Sequence, residues 1–379
     1  MSESFAMNGG DGTYSYTKNS NYQRTLTINV PLLLQISRFD FAFISIREAS
    51  NIAREMIKEA IVERLDTESL TSTSNKFCIV DLGCSVGPNT FFAVQHIVEA
   101  IENKHNLEED LGLRKLEFQV FFNDHISNDF NTLFTSLPPE RKYFTAGVPG
   151  SFYDQLFPSS SIHFAHSSYS LQWLSKVPEK LLDQNSPSWN KGRIHYTGAS
   201  DEVVSAYASQ FEKDMGIFLK ARAKEIVPGG MIVLIIPGIP DEVQPSELPA
   251  GILFSFLGKS LLDMVNEGIL NEAQIDSFNL PIYSASPREM ASLVKRNGCF
   301  SIETMEMTDP RSKIDDPVNV QSLIMHLRAA MEGIFTKHFG SEIVDEMFKR
   351  TLKRSADISL CLDSGYKEGT QLFVVLKHK

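Results

Sequence analysis

The sequence predicts an α/β fold: a largely parallel sheet covered by helices on both faces, with a helical cap inserted over the sheet's carboxyl edge. Three observations predict it. Near-continuous apolar runs such as Phe77–Leu82 and Met231–Ile236 alternate with helical stripes, the pattern of strands buried on both faces. The first run ends in a glycine-rich turn, Gly83 to Gly87. From about Glu242 the texture changes to long helical patterns, and the chain returns to strand character only near its end.

Taken in order, residues 1–40 are polar and then mixed, and read as a segment that closes over the rest. Ala49, Ile52, Ala53, Met56, Ile57, Ala60 and Ile61 then recur at helical steps. The strand Phe77–Leu82 and its turn are followed by Pro88-Asn89-Thr90, which opens a helix with Ala93, Val94, Ile97, Val98 and Ile101 on one face. Leu116–Phe122 reads as a second strand ending at Asn123-Asp124, and Ser160–His166 as a third. Asp201 starts a long helix with the stripe Val204, Tyr207, Phe211, Met215 and Phe218, stopped by Pro228-Gly229-Gly230. The core is thus expected over 41–240 and the cap over 241–355. The cap helices are read at Ile252–Val265, Pro287–Lys295, Val320–Phe335 and Ile343–Leu352. Ser286 is the expected N-cap of the second, ahead of Pro287. Residues 356–379 are expected to return as strands to the core sheet.

Bulk properties exclude several classes. With 36 Lys and Arg against 47 Asp and Glu, the net charge is −11, the wrong sign for a phosphate-backbone binder. The basic cluster Lys349, Arg350, Lys353 and Arg354 has helical spacing and reads as a solvated helix face. Four widely spaced cysteines form no CxxC and no metal grid. The N-terminus lacks a basic and an apolar signal region, and the longest apolar run is too short to span a bilayer. The expectation is a cytoplasmic protein with reduced thiols, no nucleic acid and no membrane.

The sharpest motif is Asp81-Leu82-Gly83-Cys84-Ser85-Val86-Gly87-Pro88-Asn89. Its glycines are spaced G-x-x-x-G, unlike the pyrophosphate-cradling GxGxxG. A strand–turn–helix of this spacing suits a ligand that lays an amino acid and a nucleoside across the turn; Asp81 either orients the turn or meets an ammonium group. Asp124, at the next strand end, is placed to accept hydrogen bonds from two ribose hydroxyls, although a strand-end Asp alone is as often a turn former. Tyr169, Gln172 and Trp173 follow the third strand as an aromatic and polar cluster, which fits either a small-molecule pocket or a core. His163 and His166 fall on opposite faces of that strand and read as packing residues. No nucleophile elbow, Walker loop or kinase signature is present.

These residues resemble the plant SABATH family, the salicylic acid, benzoic acid and theobromine methyltransferases. The resemblance runs from about Met7 to the C-terminus. It is carried by Ser15-Tyr16-Thr17-Lys18-Asn19-Ser20, Asp81-Leu82-Gly83-Cys84-Ser85, Asn123-Asp124, Asn128-Asp129-Phe130-Asn131 and Val148-Pro149-Gly150-Ser151-Phe152-Tyr153. Ser167 to Leu174, Val227-Pro228-Gly229-Gly230 and Phe278-Asn279-Leu280-Pro281 complete it. The resemblance implies a Rossmann-like S-adenosylmethionine-dependent methyltransferase sheet with an inserted α-helical cap, in a homodimer. It places Tyr16, Ser20, Asp81, Cys84, Asn89, Asp124, His125, Ser151 and Phe152 around S-adenosylmethionine. Gln23, Tyr169, Gln172, Trp173 and Tyr283 would face the acceptor, with Leu253, Phe254 and Leu327 as cap-side walls. Asn190, Asp276, Phe278 (through its backbone) and Asn279 match positions that hold Mg²⁺ in some members. Two departures stand out: Asn8 replaces the lysine of salicylate-type members, and Gln172 stands where several of them have Met.

The implied activity is methylation of the carboxylate of a small apolar plant metabolite, by in-line displacement. A carboxylate is already ionised at neutral pH, with a reference pKa of roughly 4, so no general base is needed. Gln172 and Trp173 are the expected catalytic pair, each offering an N–H to an acceptor oxygen. The alternatives are N-methylation of a xanthine alkaloid, which the same family performs, and a non-catalytic small-molecule-binding protein.

Overall fold

The computed structural model describes residues 7, 9, 14–16, 41–108, 115–309, 319–365 and 368–379, with backbone alone over 41–52. Its first half is strand–helix alternation. Helix α1 (Phe41–Arg64) and the short α2 (Thr67–Thr71) lead into β1 (Lys76–Leu82), α3 (Pro88–Glu108), β2 (Glu117–Asp124), α4 (Phe130–Thr135), β3 (Tyr143–Pro149) and β4 (Ile162–Ser168). A long irregular segment precedes α5 (Asp201–Glu225) and β5 (Ile226–Pro237). Then come α6 (Pro249–Asn266), α7 (Glu272–Asp276), α8 (Pro287–Asn297), β6 (Phe300–Thr308), α9 (Val320–Phe339), α10 (Ser341–Lys353), α11 (Ser355–Ser364) and β7 (Gln371–His378).

Seven strands form one sheet in the order β3-β2-β1-β4-β5-β7-β6. β1 to β5 pair in parallel, and β7 runs antiparallel between β5 and β6. Alternate residues of the central strands enter opposite cores. Cys78, Val80 and Leu82 join Tyr207, Phe211, Met215 and Phe218 of α5 on one face. Phe77 and Ile79 join Val94, Ile97, Val98 and Ile101 of α3 on the other. Burial on both faces is why these strands read as unbroken apolar runs. A third core, around Phe256, Leu257, Leu261, Phe335, Met347 and Phe348, binds α6, α7, α9, α10 and α11 into the cap. The expected start of α8 is as read: Ser286 and Glu289 form a reciprocal capping box, with Pro287 at the first helical position.

Four elements differ from the expectation. Phe300–Thr308, within the stretch expected to be helical, is a sheet-edge strand; its burial is incomplete and its charged Glu303 and Glu306 suit an edge. β5 begins at Ile226, so Pro228-Gly229-Gly230 lies within the strand rather than stopping the helix; Gly229 takes φ +79°. Ser355–Ser364 is helical, with Ile358 and Leu362 buried four residues apart on one side. β3, not singled out from the sequence, is the opposite edge and exposes Phe144.

The last turn of α5 anchors the segment after β3. Arg222 and Glu225 are paired at 2.7 Å with side chains about 1% exposed. The Arg222 guanidinium donates to the carbonyls of Phe152 (2.8 Å) and Asp154 (2.9 Å). Glu225 Oε1 accepts from the backbone N–H groups of Leu156 and Phe157. Breaking a buried pair leaves an uncompensated charge, at a cost of about 3–5 kcal/mol. Arg222→Met is therefore expected to lower the denaturation free energy by that order in chemical unfolding. Arg222→Met/Glu225→Leu should stay destabilised, because four backbone groups lose partners as well. Recovery to wild-type stability would show that the charges serve only each other.

Candidate functional site

Strand order reverses between β1 and β4, whose crossovers leave in opposite directions. Ligands bind in the crevice this opens at the carboxyl ends. Beyond Leu82 the chain must turn at once into α3. Gly83 and Cys84 both donate their N–H to the Asn123 carbonyl, at 2.9 and 3.0 Å. Gly83 takes φ +83°, and a Cβ there would sit 2.1 Å from Ser170 Oγ and 3.6 Å from the Phe152 ring. Glycine thus lets the segment after β4 and the Phe152 loop close directly over the turn. Ser85 is held at φ +52° by its N–H to Asp124 Oδ2 (2.7 Å) and by its carbonyl, which accepts from Asn128 Nδ2 (3.1 Å).

Asp124 is half-buried, with Oδ1 accepting from the His125 N–H at 2.7 Å. Desolvation pushes its pKa up to about 6, against the pull of the backbone N–H groups of Ser85 and His125. Asp81 is engaged within the protein, Oδ1 by His166 Nδ1 at 2.7 Å and Oδ2 by the Thr90 hydroxyl. Its oxygens brace the turn, one of the two roles the motif left open. Asn89, on the first turn of α3, has a buried Oδ1 with no partner among the described residues. Cys84 is buried, and desolvation together with the Asp124 and Asp81 charges keeps its thiol protonated. Ser151 Oγ accepts from the Tyr153 N–H (3.2 Å), and the Phe152 ring packs edge-on to Tyr153 and Phe218. His125 is half-buried, with Nδ1 2.9 Å from Ser127 Oγ. Tyr16 packs with Val86 of the turn and Ala329 of α9, and burial followed by the Asp124 charge raises its pKa to about 12. Ser20 and Gln23 lie outside the described residues.

On the acceptor side, the segment after β4 is fixed at both edges. Trp173 bridges Ile282, its carbonyl accepts from Tyr153 Oη (2.8 Å), and the Gln172 carbonyl accepts from the Tyr283 N–H (2.9 Å). Trp173 packs against the cap core that contains Leu253, Phe254 and Leu327. Gln172 donates Nε2 to the Tyr169 carbonyl at 2.7 Å, while its buried Oε1 has no partner among the described residues. Tyr169, at φ +52°, donates its hydroxyl to Gln371 at 2.6 Å. Tyr283 belongs to the sheet core, with its hydroxyl committed to Glu289 at 2.7 Å.

Asn190 and Asn279 meet below the cap, Asn190 Nδ2 donating to Asn279 Oδ1 at 2.8 Å, and Asp276 Oδ1 accepts from the Gly192 N–H at 2.7 Å. Among the described residues no cluster of three or more His, Cys, Asp or Glu could hold a metal ion. Sequence reasoning missed Ser170, His195, Arg222 and Glu225. Only Arg222 and Glu225 carried a signal, as charges spaced three apart at a helix end, and that pattern is common on solvated faces.

Residues 45–379 match the family described as SAM-dependent carboxyl methyltransferase. Loganic acid O-methyltransferase of Catharanthus roseus is 45% identical over the whole chain and 95% of its own length. Farnesoic acid carboxyl-O-methyltransferase of Arabidopsis thaliana is 38% identical, covering 100% and 99%. Paraxanthine methyltransferase 2 of the same plant is 35% identical, covering 99% and 98%. A solved structure of loganic acid methyltransferase with SAH superposes with TM-score 0.87, covering 98% of both chains.

Asp124 generates a pH prediction. Burial favours its neutral form, so its contribution to the stability of the ligand-free fold is greatest at acid pH and is lost as pH rises through about 6. Acceptance of ligand hydroxyls has the opposite sign, since it needs the carboxylate. S-adenosylhomocysteine affinity, measured by calorimetry, should weaken by up to tenfold per pH unit below about 6. The Asp124→Asn variant should bind weakly with no such slope.

Proposed function

Since the chain belongs to the SAM-dependent carboxyl methyltransferase family, we propose that its own acceptor is the carboxylate of a small, largely apolar plant metabolite. The observation that carries this reading is the commitment of the titratable groups around the acceptor walls. His195, packed edge-on against Phe254, has Nδ1 on Thr197 Oγ1 (2.7 Å) and Nε2 on the Ile282 carbonyl (2.9 Å). Burial lowers its pKa to about 3. The Tyr283 and Tyr169 hydroxyls are bonded to Glu289 and Gln371. A xanthine N–H must lose a proton when it is methylated, whereas a carboxylate arrives ionised. Walls whose bases are spent suit the second. The names of the loganic acid and farnesoic acid relatives support an acid acceptor, while the paraxanthine relative keeps the N-methyl outcome as the rival.

When bound, S-adenosylmethionine supplies an electrophilic methyl group: a carboxylate oxygen forms the new C–O bond as the C–S bond breaks, with its electron pair left on sulfur. The residues around the turn fit such a ligand. Asp124 is placed for hydroxyl donors, the orphaned Asn89 Oδ1 needs one, and the Phe152 ring edges the Gly83 turn. Catalysis then rests on holding the acceptor in line, an effect that supplies roughly 7–11 kcal/mol in well-oriented reactions. Trp173, on a segment braced by Tyr153 and Ile282, is the acceptor-side anchor, its indole N–H donating to one carboxylate oxygen.

Mg²⁺ belongs to the same reading. It takes oxygen ligands, and Asn190, Asp276, Asn279 and the Phe278 carbonyl supply them beside a buried Asn190 Oδ1 that has no partner. The ion would brace the junction of cap and core and take no part in the chemistry.

Methyl transfer from labelled S-adenosylmethionine to a panel of acids and xanthines, with mass spectrometry of the products, tests the acceptor. A methyl ester is expected; an N-methyl xanthine as the sole product would overturn the reading. Trp173→Ala should lower kcat/KM by about 10²-fold or more with S-adenosylhomocysteine affinity unchanged, and a parallel loss of affinity would make it a fold residue. Dialysis against EDTA should lower Tm, with restoration by Mg²⁺ in wild type but not in Asp276→Asn. An unmoved Tm removes the metal from the proposal.

A further inference from the structure

The described residues of the N-terminal segment are fastened to the core at one end and to the cap at the other. On the core, the Met7 thioether accepts from the Ser85 hydroxyl at 3.5 Å, and a Cβ on Gly9 would stand 3.0 Å from that of Asp129, the N-cap of α4. On the cap, the half-buried Tyr14 lies over Arg328 of α9, with the guanidinium carbon 3.5 Å from its ring centroid. Tyr16, buried, touches both sides. It packs against Val86 of the cofactor turn and against Ala329 of α9, with the His326 ring 6.2 Å away. Burial and then the Asp124 charge raise its pKa, so its hydroxyl lies near the carboxylate placed for ligand hydroxyls.

Arg328 presents a fixed, flat face to this segment. It is buried, and its edge is bonded to Glu332 Oε1 through Nε (3.0 Å) and Nη2 (2.6 Å), while Nη2 also reaches Asp345 of α10. The two carboxylates hold the guanidinium plane by its edge and leave its faces for rings, Tyr14 at 3.5 Å and Phe348 at 5.4 Å. Such stacking needs the planar fork; a lysine ammonium held by the same carboxylates cannot reproduce it. Tyr14 and Tyr16 are two residues apart, within about 7.6 Å of chain, so a fixed Tyr14 restrains Tyr16 on Val86. We propose that Tyr14 and Arg328 are positioning residues that latch Tyr16 over the cofactor turn, and that opening of their stack governs how fast the spent methyl donor leaves. The inference concerns the donor side and is the same for an acid or a xanthine acceptor.

The test is the release of labelled S-adenosylhomocysteine from the full chain, chased with excess unlabelled ligand. Tyr14→Leu and Arg328→Lys should each release it about 2- to 30-fold faster than wild type, the span of a cation–π contact. Tyr14→Phe keeps the ring and should stay near the wild-type rate. The double variant Tyr14→Leu/Arg328→Lys should be no faster than the faster single variant, because one shared contact is lost only once. Tm of ligand-free Tyr14→Leu should match wild type, since a terminal segment opens below the global unfolding transition. Wild-type release in Tyr14→Leu would overturn the proposal. So would Tyr14→Phe releasing as fast as Tyr14→Leu, which assigns the contact to the hydroxyl, or a Tm of Tyr14→Leu well below wild type, which makes Tyr14 a fold residue. Faster release in Arg328→Lys alone would make Arg328 a brace between α9 and α10, and effects that multiply in the double variant would show two separate roles; either outcome removes the latch. The pair Tyr14→Leu and Tyr14→Phe leaves Arg328 intact, so a poorly folded Arg328→Lys protein does not blunt the test. No acceptor enters the assay, so failure of the carboxyl reading leaves its result untouched.

Discussion

The end of β2 is the joint on which the site depends. Asn123 is fully buried, and its carbonyl receives the N–H groups of Gly83 and Cys84 while its side-chain amide donates to the carbonyls of Val148 and Gly150. Asp124 receives the Gly150 N–H on its carbonyl and the Ser85 N–H on its carboxylate. Two consecutive residues thereby lock the exits of β1, β2 and β3 to one another. Buried backbone groups at strand ends have lost their ladder partners and require others. Asn and Asp supply them without lengthening the loops. The same carboxylate is then left with lone pairs facing the crevice, so one side chain both builds the turn and equips it to bind.

The joint is closed from behind by charge. Arg222 and Glu225 hold the segment that carries Ser151 and Phe152, and Asp81 with His166 and Thr90 holds the turn. Buried polar networks of this kind specify geometry when every member is satisfied. Among the described residues, buried polar atoms without a hydrogen-bond partner occur both in this frame, at Asn123 Oδ1, and beside the turn, at Asn89 Oδ1.

How much of this the sequence disclosed follows from what each element buries. β1 and the core of β5 were legible because both faces are covered and the apolar run is unbroken. β3 and β6 were not, because edge strands bury one face and carry residues such as Glu303 and Glu306 that suit solvent. The Asp81 and Asp124 motifs were legible as strand-end carboxylates, but their division of labour was not: it depends on His166 and Thr90 reaching Asp81 from elsewhere in the chain. Resemblance places Gln172 among the expected site residues, while the direction of its amide depends on a carbonyl three residues earlier held at positive φ. Hydrogen-bond direction is a tertiary fact, and residue type alone leaves it open.

Among the described residues, the His195 ring and the Tyr169 and Tyr283 hydroxyls beside this segment are engaged within the protein, and a site of that kind gains its rate from placement, which needs a stiff mount. The acceptor segment meets that need by leaving the sheet at Ser168 and being caught at once by three separate elements. Tyr169 ties to β7 through Gln371, Gln172 to Tyr283, and Trp173 to Tyr153 and Ile282. Its far side rests on the cap core through Trp173, so cap and sheet both constrain the residues at the crevice. The cap meets the core at other points as well: His195 packs between Tyr207 of the sheet core and Phe254 of the cap core, and Val86 of the turn packs with Ala329 of α9. A crevice walled from both sides joins two constraints in one place: the sheet fixes the turn, and the cap core fixes the side of Trp173 that faces away from it.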